Sequence, residues 1–240
     1  MPALTETVRE IALNQPSSIR VFEQFGIDYC CGGRKPLAVA CTEQNVAIET
    51  VLTALESAAK LSNPDAQNWG KASLGSLTEH IISRHHAYVK KELPRLNELA
   101  QKVVTRHGST RLELPQIQSA VRKLDQELTQ HLSKEELILF PYIANLERAL
   151  ANGTSKPQCC FGTVANPIAM MTQEHDAAGA LLTKIRQLSN NLTPPEDACP
   201  TYHAFYDGLK EFEQDLHQHI HLENNILFPR AIDMELSQAV

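Results

Sequence analysis

A stretch of twelve residues occurs twice in this chain, as QHLSKEELILFP at 130–141 and QHIHLENNILFP at 218–229. Each copy sets a histidine four residues ahead of a glutamate: His131 with Glu135, and His219 with Glu223. That spacing puts both side chains one turn apart on the same face of an α-helix. An imidazole and a carboxylate so placed can hold one metal, or share two with a partner helix. Steps of three and four around the first copy give Val121, Leu124, Leu128, His131, Glu135, Ile138 and Tyr142. Around the second they give Phe205, Leu209, Phe212, Leu216, His219, Glu223 and Ile226. Both pairs therefore fall on the apolar stripe that faces a bundle core, where polar groups are rare unless something pairs with them.

Two more segments carry the same pattern. Ile82, His86, Val89, Leu93, Leu96, Ala100 and Val103 form one stripe, and Ile168, Met171, His175, Ala178, Leu182 and Ile185 form another. His86 and His175 lie 89 residues apart, and His131 and His219 lie 88 apart, so the two halves repeat nearly in register. One core histidine alone would be read as a hydrogen-bonded structural residue, and one His-x-x-x-Glu pair as an exposed helix pair. Six such groups on converging stripes are costly to bury without a cation to share. The other histidines, His80, His85, His107, His203, His217 and His221, fall off the stripes or near helix ends. Solvent-facing or supporting places are expected for them.

Mixed imidazole and carboxylate ligands suit iron, manganese or zinc and disfavour a metal selected by soft thiolates. Two carboxylates able to bridge and four histidines leave room for a small exogenous molecule. The pattern points to a non-haem di-iron centre, with di-manganese and di-zinc still open.

At 240 residues the chain can hold one sizeable core and a small second unit. Its net charge of −6 and the lack of a lysine or arginine run argue against nucleic acid or an anionic membrane as partner. The opening MPALTETVREIALNQP has no signal-peptide pattern, and no apolar stretch reaches the ~20 residues that span a bilayer, so a cytoplasmic protein is expected. The six cysteines then read as free thiols, not a disulfide framework. Cys30–Cys31 and Cys159–Cys160 are adjacent pairs that cannot easily bridge themselves.

Short helices are expected over residues 5–60, interrupted by the loop GIDYCCGGRKP at 26–36. Residues 1–62 thus read as a small helical domain, 63–73 as a polar linker, and 74–236 as a bundle of four long amphipathic helices. Pro94, Pro141 and Pro229 should kink or end their helices. The fold expected is all-α, an antiparallel four-helix bundle preceded by a small helical domain.

DYCCGG, HLSKEELILFP, QEHDAAG, NNLTPPEDACPTY and HIHLENNILFP together closely resemble the iron–sulfur cluster repair di-iron proteins of the ScdA and YtfE type, whose bundle is hemerythrin-like. The likeness runs from about residue 5 to 234. It implies two iron ions, oxo- and carboxylate-bridged, on His86, His131, Glu135, His175, His219 and Glu223. That set coincides with the one the stripes select. It also implies a role in restoring clusters damaged by nitric oxide or peroxide, with damaged iron–sulfur proteins as partners. Ordinary hemerythrins use a further histidine and an aspartate where this chain has His219 and Glu223, which argues against oxygen carriage. Cys159 and Cys160 lie outside the family pattern.

Three activities compete on this reading. The first is an iron donor, which is not an enzyme in the strict sense. The second is a reductase of nitric oxide or peroxide at the di-iron centre, and the third a hemerythrin-like sensor of O2 or NO. Cys30 and Cys31 are read as a redox or iron relay. Gly32 and Gly33 let a second surface approach closely, and a flexible linker would let the small domain swing towards the bundle. Accessible, alkylatable thiols are expected for that task. The oligomeric state, a homodimer included, is left open.

Overall fold

The computed structural model describes residues 6–60 and 68–237. The expected linker falls partly on 61–67, outside the described residues. Among those described the chain is all-α, and its single β-type contact is an isolated bridge between Thr7 and Pro36.

Four short helices come first: α1 (Val8–Asn14), α2 (Ser18–Phe25), α3 (Leu37–Glu43) and α4 (Ile48–Lys60). A capping box starts α1, with Thr7 accepting from Glu10 N–H while the Glu10 carboxylate takes the Thr7 N–H at 2.8 Å. Gly26, at φ 65°, closes α2 with a left-handed cap that an L side chain would strain.

Four long helical rods come next. The first runs as Leu74–His80, a wide π-helical turn Ile81–His86, and Ala87–His107. The second runs as Glu113–Lys134, a π turn Glu135–Leu139, and Phe140–Ala151. The third, Ala165–Leu188, is regular throughout. The fourth runs as Pro200–Leu222, a π turn Glu223–Leu227, and Phe228–Ser237. Neighbouring rods are antiparallel. Glu147 near the end of the second caps the first by accepting Leu74 N–H at 2.7 Å and Gly75 N–H at 2.9 Å, while Gln118 near the start of the second bonds Gln101 near the end of the first.

None of the three prolines ends its helix. The reason is visible at both ILFP sequences: Phe140 N–H bonds Glu135 carbonyl and Phe228 N–H bonds Glu223 carbonyl, each reaching back five residues. Pro141 and Pro229 have no N–H to donate, so the wide turn absorbs the missing bond and the helix goes on. The extra residue also moves the stripe. Leu139 is buried and Ile138, expected to face inward, is half exposed.

Two apolar clusters fill the molecule. One joins the small helices, through Val8, Phe22, Tyr29, Leu37 and Leu55, to the bundle half containing Leu93, Leu124, Leu182 and Phe212. The other fills the opposite half, with Leu77, Ile81, Ile143, Ile168 and Phe228. Along every rod the inward histidines and glutamates fall between these two clusters: His86 between Ile81 and Val89, His175 between Met171 and Ala178.

Candidate metal centre

The structure brings together all six side chains His86, His131, Glu135, His175, His219 and Glu223. His86, Glu135, His219 and Glu223 form one group of four, and His131, Glu135, His175 and Glu223 form a second; all are buried. The groups share both glutamates. Each histidine turns Nε2 inward, with 3.1 Å between His86 and His219 and 3.1 Å between His131 and His175. Glu223 offers one oxygen to each side, Oε1 at 3.0 Å from His219 and Oε2 at 3.1 Å from His175. Glu135 Oε2 lies between the groups, 3.5 Å from His86 and 3.4 Å from His131.

This arrangement is chemically able to hold a metal ion. Neither oxygen of Glu135 receives a hydrogen bond although the residue is fully buried. Burying a carboxylate with no partner costs several kcal/mol. Without a cation, burial and the nearby Glu223 hold the Glu135 carboxyl well above its ordinary range. Burial pushes Glu223 the same way, but His219, hydrogen-bonded to it at 3.0 Å, and the nearby imidazoles of His175 and His86 outweigh that and keep it well below. Burial also lowers His131 to about 4 and lowers His219. These imidazoles stay neutral and keep a lone pair for a metal. The oxygen and nitrogen donors fit a borderline or hard first-row ion.

Three of the four outward Nδ1 atoms, those of His86, His131 and His175, carry supports that periodicity does not reveal. Glu136 Oε1 lies 2.8 Å from His86 Nδ1 and is clamped by Lys90 at 2.7 Å. Glu174 Oε2 lies 2.9 Å from His131 Nδ1 and pairs with Lys134. Asn224 Oδ1 lies 3.0 Å from His175 Nδ1. Such partners fix the tautomer and raise ligand basicity. One signal for them is present in the chain: Glu136 and Asn224 each directly follow the glutamate of the repeated motif.

Of the off-stripe histidines, for which solvent-facing or supporting places are expected, His85 and His221 are buried and take supporting places. His85 is drawn in by the π turn Ile81–His86, which brings two consecutive side chains to the interior. Its Nδ1 meets Asp215 at 3.1 Å and its ring stacks on His219 at 5.6 Å. His221 points instead at the small helices, where its ring contacts Tyr29 at 5.5 Å and its Nδ1 meets Asn225. His203 is exposed, as expected.

Cys30 and Cys31 lie in the loop after α2. The carboxylate of Asp28 gathers the loop by accepting the N–H groups of Cys30 (2.9 Å), Cys31 (3.0 Å) and Gly32 (2.9 Å). Gly33 is required by close approach: a Cβ there would sit 2.7 Å from the Tyr29 carbonyl oxygen. The sulfurs are 3.9 Å apart. Accessibility departs from expectation, since Cys30 is buried and only Cys31 is half-buried. The hydrogen bond with Cys31, together with burial, raises the Cys30 thiol well above its ordinary value, so Cys30 is held as a thiol. The pair faces a cleft of about 740 Å³ between the small helices and the third and fourth rods, lined also by Asp176, Arg186 and Lys210. The other cysteines, Cys41, Cys159, Cys160 and Cys199, are unpaired as well.

No helix of the described residues is long and apolar enough to cross a membrane. Residues 77–231 match the family described as Hemerythrin HHE cation binding domain, and residues 4–59 match a Domain of Unknown function (DUF542). The chain is 40% identical over 232 residues to the "Probable iron-sulfur cluster repair protein" of Haemophilus influenzae, covering 95% of this chain and 97% of that one. It is 38% identical over 228 residues to "Iron-sulfur cluster repair protein YtfE" of Dickeya chrysanthemi, covering 95% and 96%. The protein of that name from Yersinia pseudotuberculosis is 38% identical over 227 residues, covering 95% and 96%. On these matches, and on a bundle built around the buried histidines and glutamates, the chain belongs to the hemerythrin-like iron–sulfur cluster repair family.

Proposed function

We propose that this protein holds two iron ions on His86, His131, Glu135, His175, His219 and Glu223, and restores damaged iron–sulfur clusters in the cytoplasm by supplying iron. The observation that carries this reading is the sharing of both glutamates by two buried groups of four. A single metal would be served by one such group, whereas here two imidazole pairs face the same two carboxylates. Bound iron would supply Lewis-acid and redox chemistry, and the chain supplies the groups that control its retention. The four histidines anchor the ions through Nε2. The two carboxylates can change binding mode, which loosens one ion without dismantling the bundle.

Residues 1–62 form, on this proposal, a docking and relay domain in front of the bundle at 74–236. Cys30 and Cys31 pass electrons or iron between the centre and a damaged protein, in response to nitrosative or oxidative stress. The placement of their loop against the turn that carries Glu223 supports this. Because Cys30 is a buried thiol, the relay needs the loop to open before a thiolate can form.

The test is anaerobic. Metal analysis should give about two irons per chain, and the loaded protein should restore a cluster enzyme inactivated by nitric oxide while losing iron in proportion. One metal per chain, or zinc alone after growth in iron-replete medium, would count against the centre. Sustained turnover of nitric oxide with a reductant, with no iron passed to the acceptor, would replace the donor reading by the reductase one.

A further inference from the structure

The internal repeat makes the two metal positions comparable residue by residue. His86 corresponds to His175, and His131 to His219. The residues behind them correspond as well: Glu136, which supports His86, has Asn224 as its counterpart, and Asn224 supports His175. Glu174, which directly precedes His175, supports His131; its counterpart directly precedes His86 and is His85. Here the symmetry breaks. His85 gives His219 no acceptor. It lies parallel to the His219 ring, interplanar angle 8°, and spends its own Nδ1 on Asp215. His219 Nδ1 is buried and no protein group bonds it.

The position of His131 and His175 therefore has both imidazoles oriented, by a carboxylate and an amide. The position of His86 and His219 has one imidazole backed by a hydrogen-bond acceptor and one, His219, backed only by the stacked His85 ring. A hydrogen-bond acceptor behind a ligating imidazole raises its basicity and fixes its aim, and its loss typically costs roughly 10–100-fold in metal affinity. We infer that the two positions are inequivalent and that the His86–His219 position yields its metal first, with His85 setting that difference. The inference rests on the two-metal reading and deepens it, since a donor needs one ion that leaves while the other keeps the bundle formed.

The test reads metal release, not repair. The full-length protein is loaded anaerobically with two equivalents of Co(II) or Fe(II), mixed with excess chelator, and the release is followed by absorbance. Two phases are expected, separated by about tenfold or more. His85→Glu places a carboxylate where the repeat has Glu174 and should slow the fast phase, leaving the slow one in place. Asn224→Ala removes the amide behind His175 and should speed the slow phase towards the fast one, an independent check should the buried glutamate prevent folding. Release of both metals in one phase from the unaltered protein would overturn the inference. So would an Asn224→Ala protein whose slow phase is unchanged. Loading that stops at one metal per chain would instead overturn the two-metal reading itself.

Discussion

Asn225 Nδ2 donates to the backbone carbonyl of Tyr29 at 3.0 Å, joining the cysteine loop to the turn that carries Glu223. Arg9 adds a second tie by donating to the Asn225 carbonyl at 3.2 Å. The small helices are thus fastened to the bundle at residues immediately beside the metal-facing groups. A docked loop, not a domain swinging freely, is the state from which any relay starts. Asn225→Ala removes the amide donor from the Tyr29 carbonyl, a loss of about 1 kcal/mol that falls on the docked arrangement. The variant should keep its metal but react faster with a thiol-alkylating reagent at Cys30. An unchanged alkylation rate would mean that this contact does not hold the loop shut.

Substitution of the ligands should separate cleanly from substitution of their neighbours. His131→Ala and His219→Ala each remove an anchor from a buried site and should lose most of their iron. His221→Ala lies on the same rod as His219, yet its ring faces Tyr29 and Asn225, so iron should stay near two per chain while thiol reactivity rises. Metal analysis with thiol titration on the same samples decides both points. Equal iron loss in His221→Ala and His219→Ala would contradict the assignment of ligands.

Acidity should act on the metal-free protein from both directions. His131 and His221 are lowered by burial to about 4, against roughly 6.5 in the unfolded chain. Between those values the unfolded chain binds protons that the folded one excludes, so stability falls as pH drops from about 6.5 towards 4, on the order of 1.4 kcal/mol per pH unit for each group. Glu135 works the other way. Its raised value favours the folded state in acid, and that contribution is lost as pH rises through the folded-state value. Metal-free Glu135→Gln should therefore melt higher than the metal-free parent at about pH 8, converge with it below about pH 4.5, and bind metal poorly. A lower melting temperature than the parent at the alkaline end would show that the carboxylate is already compensated within the protein.

The register shift at the π turn can be tested by a pair of truncations. Leu139 is 2% exposed and Ile138 50% exposed. Leu139→Ala should cost about 2–5 kcal/mol in denaturant unfolding, and Ile138→Ala at most a few tenths. A straight α-helical stripe through Glu135 gives the reverse order.

That pair also marks where the sequence stops being legible. The four rods, their antiparallel order and the convergence of six side chains are readable, because a 3.6-residue stripe is a global signal that every turn repeats. Periodicity misplaces Ile138 because the wide turn shifts the register locally, turning Ile138 outward and Leu139 inward while Tyr142 stays buried, and no composition cue beyond ILFP marks it. His85 and His221 take the supporting of the two places expected for them, and which of the two they take is not legible for related reasons. A π turn faces two successive residues inward, and a second surface, that of the small helices, buries a residue that an isolated bundle would expose. Glu136, Glu174 and Asn224 escape because each meets its histidine across a helix interface, at a distance in sequence that one helix's periodicity does not contain.

The cysteine pair provides the last prediction. Cys30 and Cys31 contribute no atom to either metal-facing group, so the Cys30→Ala/Cys31→Ala protein should fold and carry about two irons per chain. Ala is tolerated at both positions, because the loop is held mainly by backbone N–H groups on Asp28 and by the Tyr29 carbonyl, the Cys30 thiol adding one hydrogen bond to Asp28 at 3.3 Å. If the pair relays electrons or iron, this protein should fail to restore a damaged cluster while its metal content and release rates match those of the parent. The single variants grade the roles: Cys31, half-buried at the cleft, would be the first thiol reached by a partner, and Cys30, held as a thiol beneath it, the second. Cys31→Ala alone should then abolish repair as fully as the double variant. Full repair by the double variant would make the thiols dispensable and leave the small domain as a docking surface only.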